Sequence, residues 1–192
     1  MAYYYLAAQL PYLVYGQQSP MSSQAFRALC VHTLSAEDAA LLDRCSLDME
    51  HSANQEKGCA EPPAPTSSRF INEWQAWERA LRLNLVRYRA QKRNNSASIE
   101  PPDSPADAAL AAKVAFALES PLEAELFIDQ ARWNAIEAMQ GLDLFSVNMI
   151  YAYLLKLLLM ERRAAFKVEE GFAEYKGLYD AILASASQGV EK

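Results

Sequence analysis

The sequence predicts an all-α protein, a helical bundle of about six to seven helices in a single domain spanning residues 1–192. Three observations lead there. Serine followed closely by proline or an acidic residue precedes the apolar runs, as in "SAED", "SPAD" and "SPLE"; such residues satisfy or dispense with the free N–H groups of a first helical turn. Apolar residues recur at spacings of three and four, the period of a helix with one buried face. Only six of the 192 residues are glycine, few for a fold built on tight hairpins or glycine-rich phosphate loops. A composition of 52% hydrophobic and 22% charged residues is globular, and a chain of this length buries about 70% of its unfolded surface.

In chain order, "MAYYYLAAQLPYLVYG" is apolar but has no basic region at its start and contains Gln9 and Pro11. It reads as mature structure rather than a signal peptide, and "AYYYLAAQL" is the one stretch open to an extended conformation. Its tyrosines pack by the ring and hydrogen-bond by the tip. Residues 1–50 then form a helical hairpin: Ser22 or Ser23 caps a helix through Leu34, and Ser35 with Asp38 has capping-box spacing before "AALLDRC". Residues 51–67, rich in Pro, Ser and Asn, read as a linker. A long middle helix follows over 68–93, a second linker over 94–105, and the C-terminal helices over 106–187. Among these, Pro105 and Pro121 stand at first helical positions, Gly141 ends the second helix, a third runs from Ser146 to Lys167, and a fourth from Glu170 to Ser185.

The middle helix carries a core stripe of Phe70, Trp74, Trp77, Leu81, Asn84 and Tyr88. Arg82, Arg89 and Arg93 line up beside it, with Glu78 one turn before Arg82 at the favourable acidic-then-basic spacing. On the apolar helix "IYAYLLKLLLMERR", Asn148, Lys156 and Arg163 share one narrow strip. A lysine there covers apolar surface with its stem and carries its ammonium to water or an acid. Glu161 and Asp129 both lie on apolar faces, where a carboxylate must be paired or reach water. With arginines nearby, the expectation is a structural polar network of Asp129, Arg132, Glu161 and Glu78 rather than a catalytic pair.

No catalytic residue, bound metal or cofactor is expected. Three cysteines and two histidines fall between residues 30 and 59, but no CxxC or HExxH spacing is present, and Cys30 and His32 on one helix point apart. Nor does the sequence contain a Walker A, Rossmann or GxSxG pattern. An odd number of cysteines without a secretory signal points to reduced thiols. The net charge of -6 argues against nucleic-acid wrapping. The longest apolar run, Val147 to Met160, is interrupted by Asn148 and Lys156 and falls short of the ~20 residues a membrane-spanning helix needs.

Several segments in order, "YYYLAAQLP", "WERALRLNLVRYRAQKRN", "PLEAELFIDQARWNAIEAMQGLDLF" and "IYAYLLKLLLMERR", resemble an uncharacterised bacterial family encoded in V-type ATPase operons of spirochaetes and Bacteroidetes. That family distantly resembles the C subunit of V-type and archaeal-type ATPases (the d subunit of eukaryotes), built from three-helix units, although this chain is shorter. The resemblance implies a non-catalytic subunit or accessory protein, a cytoplasmic central-stalk adaptor that links rotor stalk and proteolipid ring and is peripheral to the inner membrane through the complex. The alternative is a helical protein-binding module, such as an assembly factor not retained in the rotor. Partner-interface candidates are Lys156, Arg163, Asn148, Arg82, Arg89 and Arg93, and the isolated protein is expected to be a monomer.

Limited proteolysis should cut first between residues 51 and 68 or between 94 and 105, leaving helical fragments. Early cleavage inside 68–93 or 121–163 instead would contradict this division of the chain.

Overall fold

The computed structural model describes residues 3–47, 65–93, 105–166, 175–179 and 182. Among them there is no strand. Seven helices follow in order: α1 (Tyr4–Gln9), α2 (Ser23–Val31), α3 (Ala36–Leu42), α4 (Arg69–Lys92), α5 (Ala106–Ala117), α6 (Pro121–Gln140) and α7 (Val147–Ala164). Residues 175–179 are also helical. The all-α expectation is met. Most of the linker over 51–67, nearly all of that over 94–105 and most of the helix expected over 170–185 lie outside the described residues.

Local chemistry accounts for the helix starts. The Oγ atoms of Ser22, Ser35, Ser68 and Ser120 accept from the backbone N–H groups of Ala25, Asp38, Ile71 and Glu123, each occupying a donor with no partner within its helix. Pro121 stands at the first position of α6, where a missing N–H leaves no gap. Pro105, by contrast, is the N-cap of α5 and not its first residue. The tail of the first expected linker is anchored: Thr66 N–H donates to Asn72 Oδ1 at 2.8 Å, and Asn72 Nδ2 donates back to the Thr66 carbonyl at 2.8 Å.

One open stretch is decided and one boundary differs from the sequence reading. The tyrosine-rich start, which the sequence left open to an extended conformation, is helical, because a short helix buries Leu6 beside the buried Tyr3 while Ala7 and Ala8 favour the helix. Its position is fixed by Tyr3 N–H donating to the Phe145 carbonyl at 2.8 Å and by the Tyr3 hydroxyl donating to Asp38. Helix α2 stops at Val31 rather than Leu34, and the N–H groups of Thr33 and Leu34 both donate to the Cys30 carbonyl, a tightened last turn.

The framework is the set of long helices. α4 packs on α5 and α6, α6 on α5 and α7, and α2 on the far side of α7. Consequently α7 is apolar nearly all round: Ile150, Tyr151, Ala152, Leu154, Leu155, Leu157 and Leu159 are buried. A helix covered on more than one side needs such a sequence. The expected stripe of α4 is also buried, with the rings of Trp74 and Trp77 stacked at 6.0 Å and Tyr88 half-buried against Phe116 at 5.7 Å. No described helix is long and apolar enough to cross a membrane.

Gly141 ends α6 at φ 74° and ψ -166°, a region that side chains with a Cβ strongly avoid. Gly141→Ala should therefore lower stability by about 1–3 kcal/mol, although no atom crowds the position. Chemical denaturation checks this; an unchanged midpoint would mean that the turn relaxes at no cost.

Candidate functional site

Four polar side chains are fully buried among the described residues: Glu78, Asn84, Asp129 and Arg132. Three belong to one ion network between α4, α6 and α7. Arg132 donates to Glu78 twice, from Nε to Oε2 at 3.0 Å and from Nη2 to Oε1 at 2.8 Å, and from Nη1 to Asp129 Oδ1 at 2.8 Å. Arg82, one turn from Glu78 on α4, donates to Glu78 Oε1 at 2.8 Å and to the Leu47 carbonyl at 2.5 Å. At the other end Arg162 of α7 stands 3.6 Å from Asp129 Oδ1 and donates to Glu125 Oε2 at 2.7 Å. Three arginines thus face three carboxylates, and the charges sum to zero.

Charges removed from water are costly unless paired and hydrogen-bonded, and this arrangement pairs each one. Burial disfavours the charged guanidinium of Arg132, but Glu78 and Asp129 outweigh it and hold its pKa above the ordinary arginine value. Asp129 has the opposite balance. Burial pushes its carboxyl up, and the bonds and charges of Arg132 and Arg162 only partly offset that. Its second oxygen, Oδ2, has no hydrogen-bond partner within the protein.

Glu161, expected in the same network, is elsewhere. Its Oε1 accepts from the Ser23 backbone N–H at 2.6 Å and its Oε2 from the Ser23 hydroxyl at 2.7 Å. It therefore ties the first turn of α2 to the end of α7, where a carboxylate is favoured by the free N–H groups of a helix start. Asp129 and Glu161 thus have different partners, Arg132 for the one and Ser23 for the other. Arg162 and Glu125 were missed in the sequence. The signal available was Glu125 and Asp129 one turn apart on α6, a like-charge pair that calls for a cation from another helix.

Lys156 has its acid within the chain. The ammonium lies 5.0 Å from the Trp133 ring centre and donates to Glu137 Oε1 at 3.2 Å, and that same oxygen accepts from Trp133 Nε1 at 2.9 Å. Arg163 stacks over Tyr15 at 4.9 Å, Tyr15 meets Trp133 edge-on at 5.5 Å, and its hydroxyl donates to the Leu126 carbonyl at 3.0 Å. The strip of Asn148, Lys156 and Arg163 is thus no continuous basic surface. Asn148 is half-buried, while Ala152 and Leu159, between the polar positions, are buried. Arg82 is held in the ion network, which leaves Arg89 and Arg93 exposed at the end of α4.

Other chemistry is muted. Cys30 and Cys45 are buried in the core, and burial pushes their thiols up to about 11 and about 12, so neither is a thiolate near neutral pH. Cys59 lies outside the described residues. Among the described residues no group of three His, Cys, Asp or Glu side chains is placed to hold a metal ion. A cleft of about 280 Å³ between α4, α5 and α6 is walled by Leu110, Val114, Phe127 and small residues, and Asp107 at its edge accepts from Trp77 Nε1 at 2.9 Å.

A family model described as a protein of unknown function (DUF2764) matches residues 110–185. The match takes in most of α5, all of α6 and α7, and the residues beyond, and includes Asp129, Arg132 and Lys156. No curated protein and no solved structure matches the chain.

Two outcomes follow from the geometry. The raised carboxyl pKa of Asp129 means that just above the ordinary carboxylate range the unfolded chain has released this proton while the folded one keeps it. Stability contributed by Asp129 therefore falls as pH rises through that window. The stability difference between wild type and Asp129→Asn should shift against wild type from about pH 4 upward, to a plateau above the folded-state pKa; a constant difference contradicts the assignment. Separately, Glu161→Ala should lower stability by about 1–2 kcal/mol by uncapping α2, checked by urea denaturation, with no change expected if water replaces the carboxylate.

Proposed function

We propose that this protein is a non-catalytic component of a V-type ATPase, an adaptor at the central stalk between rotor and proteolipid ring. The observation that carries a binding role is an exposed apolar corner. After Gly141 the chain turns through Leu142, Leu144 and Phe145, which are 100%, 58% and 41% exposed, and the Phe145 ring lies 4.7 Å from that of Tyr4 on α1, beside the exposed Tyr5. Large side chains gathered at one exposed site are characteristic of surfaces that bind another protein. The ionic groups support the same reading, because the best-buried carboxylates and the lysine of α7 are engaged inside the chain rather than directed at a substrate.

The connection to a V-type ATPase rests on the resemblance of the four sequence segments to the operon-encoded family. Tagged protein expressed in its native cell should co-purify stoichiometrically with stalk subunits from gently solubilised membranes. Leu142→Asp with Leu144→Asp should abolish that retention while leaving the helical circular dichroism spectrum unchanged. Transient, substoichiometric association would favour an assembly factor. An intact ATPase lacking the protein, together with no binding of its subunits at micromolar concentration, would contradict the proposal.

A further inference from the structure

Residues 118–120 join α5 to α6, and the two helices run back side by side, because the cleft of about 280 Å³ is lined over successive turns of each, from Asp107 to Val114 and from Phe127 to Ala135. The buried ring of Trp77 and the small side chains of Ala111 and Ala131 keep its floor low. Leu110, Val114 and Phe127 form apolar walls, and Leu110 on the rim is 61% exposed. A small-ligand pocket encloses most of its guest in roughly 300–1,000 Å³. This cleft is smaller, and its rim at Asp107, Leu110 and Asn134 is exposed. Its form is that of a groove receiving side chains from one face of a helix.

Carboxylates mark both ends of the groove. At one, Asp107 accepts from Trp77 Nε1 through Oδ2, which leaves Oδ1 for another donor. At the other, Glu123 stands one turn before Phe127 on the same face of α6, with Glu119 in the connection beside it, and all three acids are exposed. Glu125, Asp129 and Glu137 of α6 are held by Arg162, Arg132 and Lys156, whereas Asp107, Glu119 and Glu123 form no ion pair among the described residues. The single cation of α5, Lys113, does not line the cleft.

We propose that the α5–α6 groove is the docking site for a basic amphipathic helix of a partner protein. Its apolar face covers Leu110 and fills the cleft between Val114 and Phe127, while lysines or arginines at its ends reach Asp107 and the pair Glu119 and Glu123. The α6 wall from Glu123 to Ala135 extends ~18 Å, the length of a helix of about 12 residues. Opposite charges at the two ends set the register and speed the encounter, and the apolar anchors supply the affinity. The proposal is independent of the adaptor reading, which rests on the corner at Leu142.

Peptide selection on the full chain tests it. Two displayed libraries of helical peptides about 14 residues long vary the apolar residues at i, i+3, i+4 and i+7 alike, with Lys and Arg on the flanks in one and Glu in the other. The basic library alone should yield micromolar binders, and these should shift the methyl resonances of Leu110, Val114 and Ala131. Leu110→Asp should abolish their binding and Glu119→Lys with Glu123→Lys should weaken it at least tenfold or so, while Asp107→Asn, which keeps an acceptor for Trp77, should weaken it about threefold; helicity should be unchanged in each. The proposal is overturned by a basic library without binders, by equal yield from the acidic library, by methyl shifts confined to residues outside the cleft, by binding indifferent to these substitutions, or by a wild-type dimer that Leu110→Asp dissociates, which would give the groove to a second copy.

Discussion

The bidentate contact between Arg132 and Glu78 is the constraint on which the placement of the long helices depends. Both side chains are removed from water, and a buried guanidinium left without its carboxylate costs several kcal/mol. Apolar packing alone tolerates rotation of one helix against another with modest loss, whereas two parallel N–H···O bonds do not. Fixing Glu78 toward α6 fixes the rotation of α4. It directs Trp74, Trp77 and Leu81 into the core and turns Leu83, Val86, Arg89 and Arg93 outward. The same tie extends through Asp129 to Arg162, so the orientation of α7 is coupled to that of α4 although the contact passes through α6.

This coupling explains which parts of the structure were legible in the sequence. Caps are local: Ser35 and Ser120 act on backbone groups three residues away, so their meaning is present in "SAED" and "SPLE". The α4 stripe was equally visible, because a 3.6-residue period over about five turns has one interpretation. Pairings between helices carry no such local mark. Nothing near Glu161 in the chain indicates Ser23, 138 residues distant, and the expectation that Glu161 would join Asp129 followed from residue type and helix face without the third dimension. The conformation of the tyrosine-rich start stayed open in the sequence for a related reason, since its helix depends on Phe145 and Asp38 from distant segments.

The same distinction governs the functional residues. Lys156 and Arg163 looked like an outward basic strip because helical projection shows direction but not what lies there. The structure supplies Trp133, Glu137 and Tyr15, and the cations become internal clamps that hold the segment around Tyr15 and the end of α6 against α7. Arg82 is likewise withdrawn by Glu78 and Leu47. Among the described residues, the exposed surface includes the apolar corner at Leu142 and the mixed apolar and basic end of α4.

A double-mutant cycle at residues 78 and 132 tests the dependence of the fold on this contact most directly. Equilibrium unfolding of Glu78→Gln, Arg132→Met and the combined variant separates their mutual interaction from their individual effects. The account predicts that Arg132→Met alone is strongly destabilising, by about 3–5 kcal/mol, and that the combined loss is smaller than the sum of the single losses by more than about 1 kcal/mol. Strictly additive losses, or a near-neutral Arg132→Met, would show that apolar packing alone sets the orientation of α4.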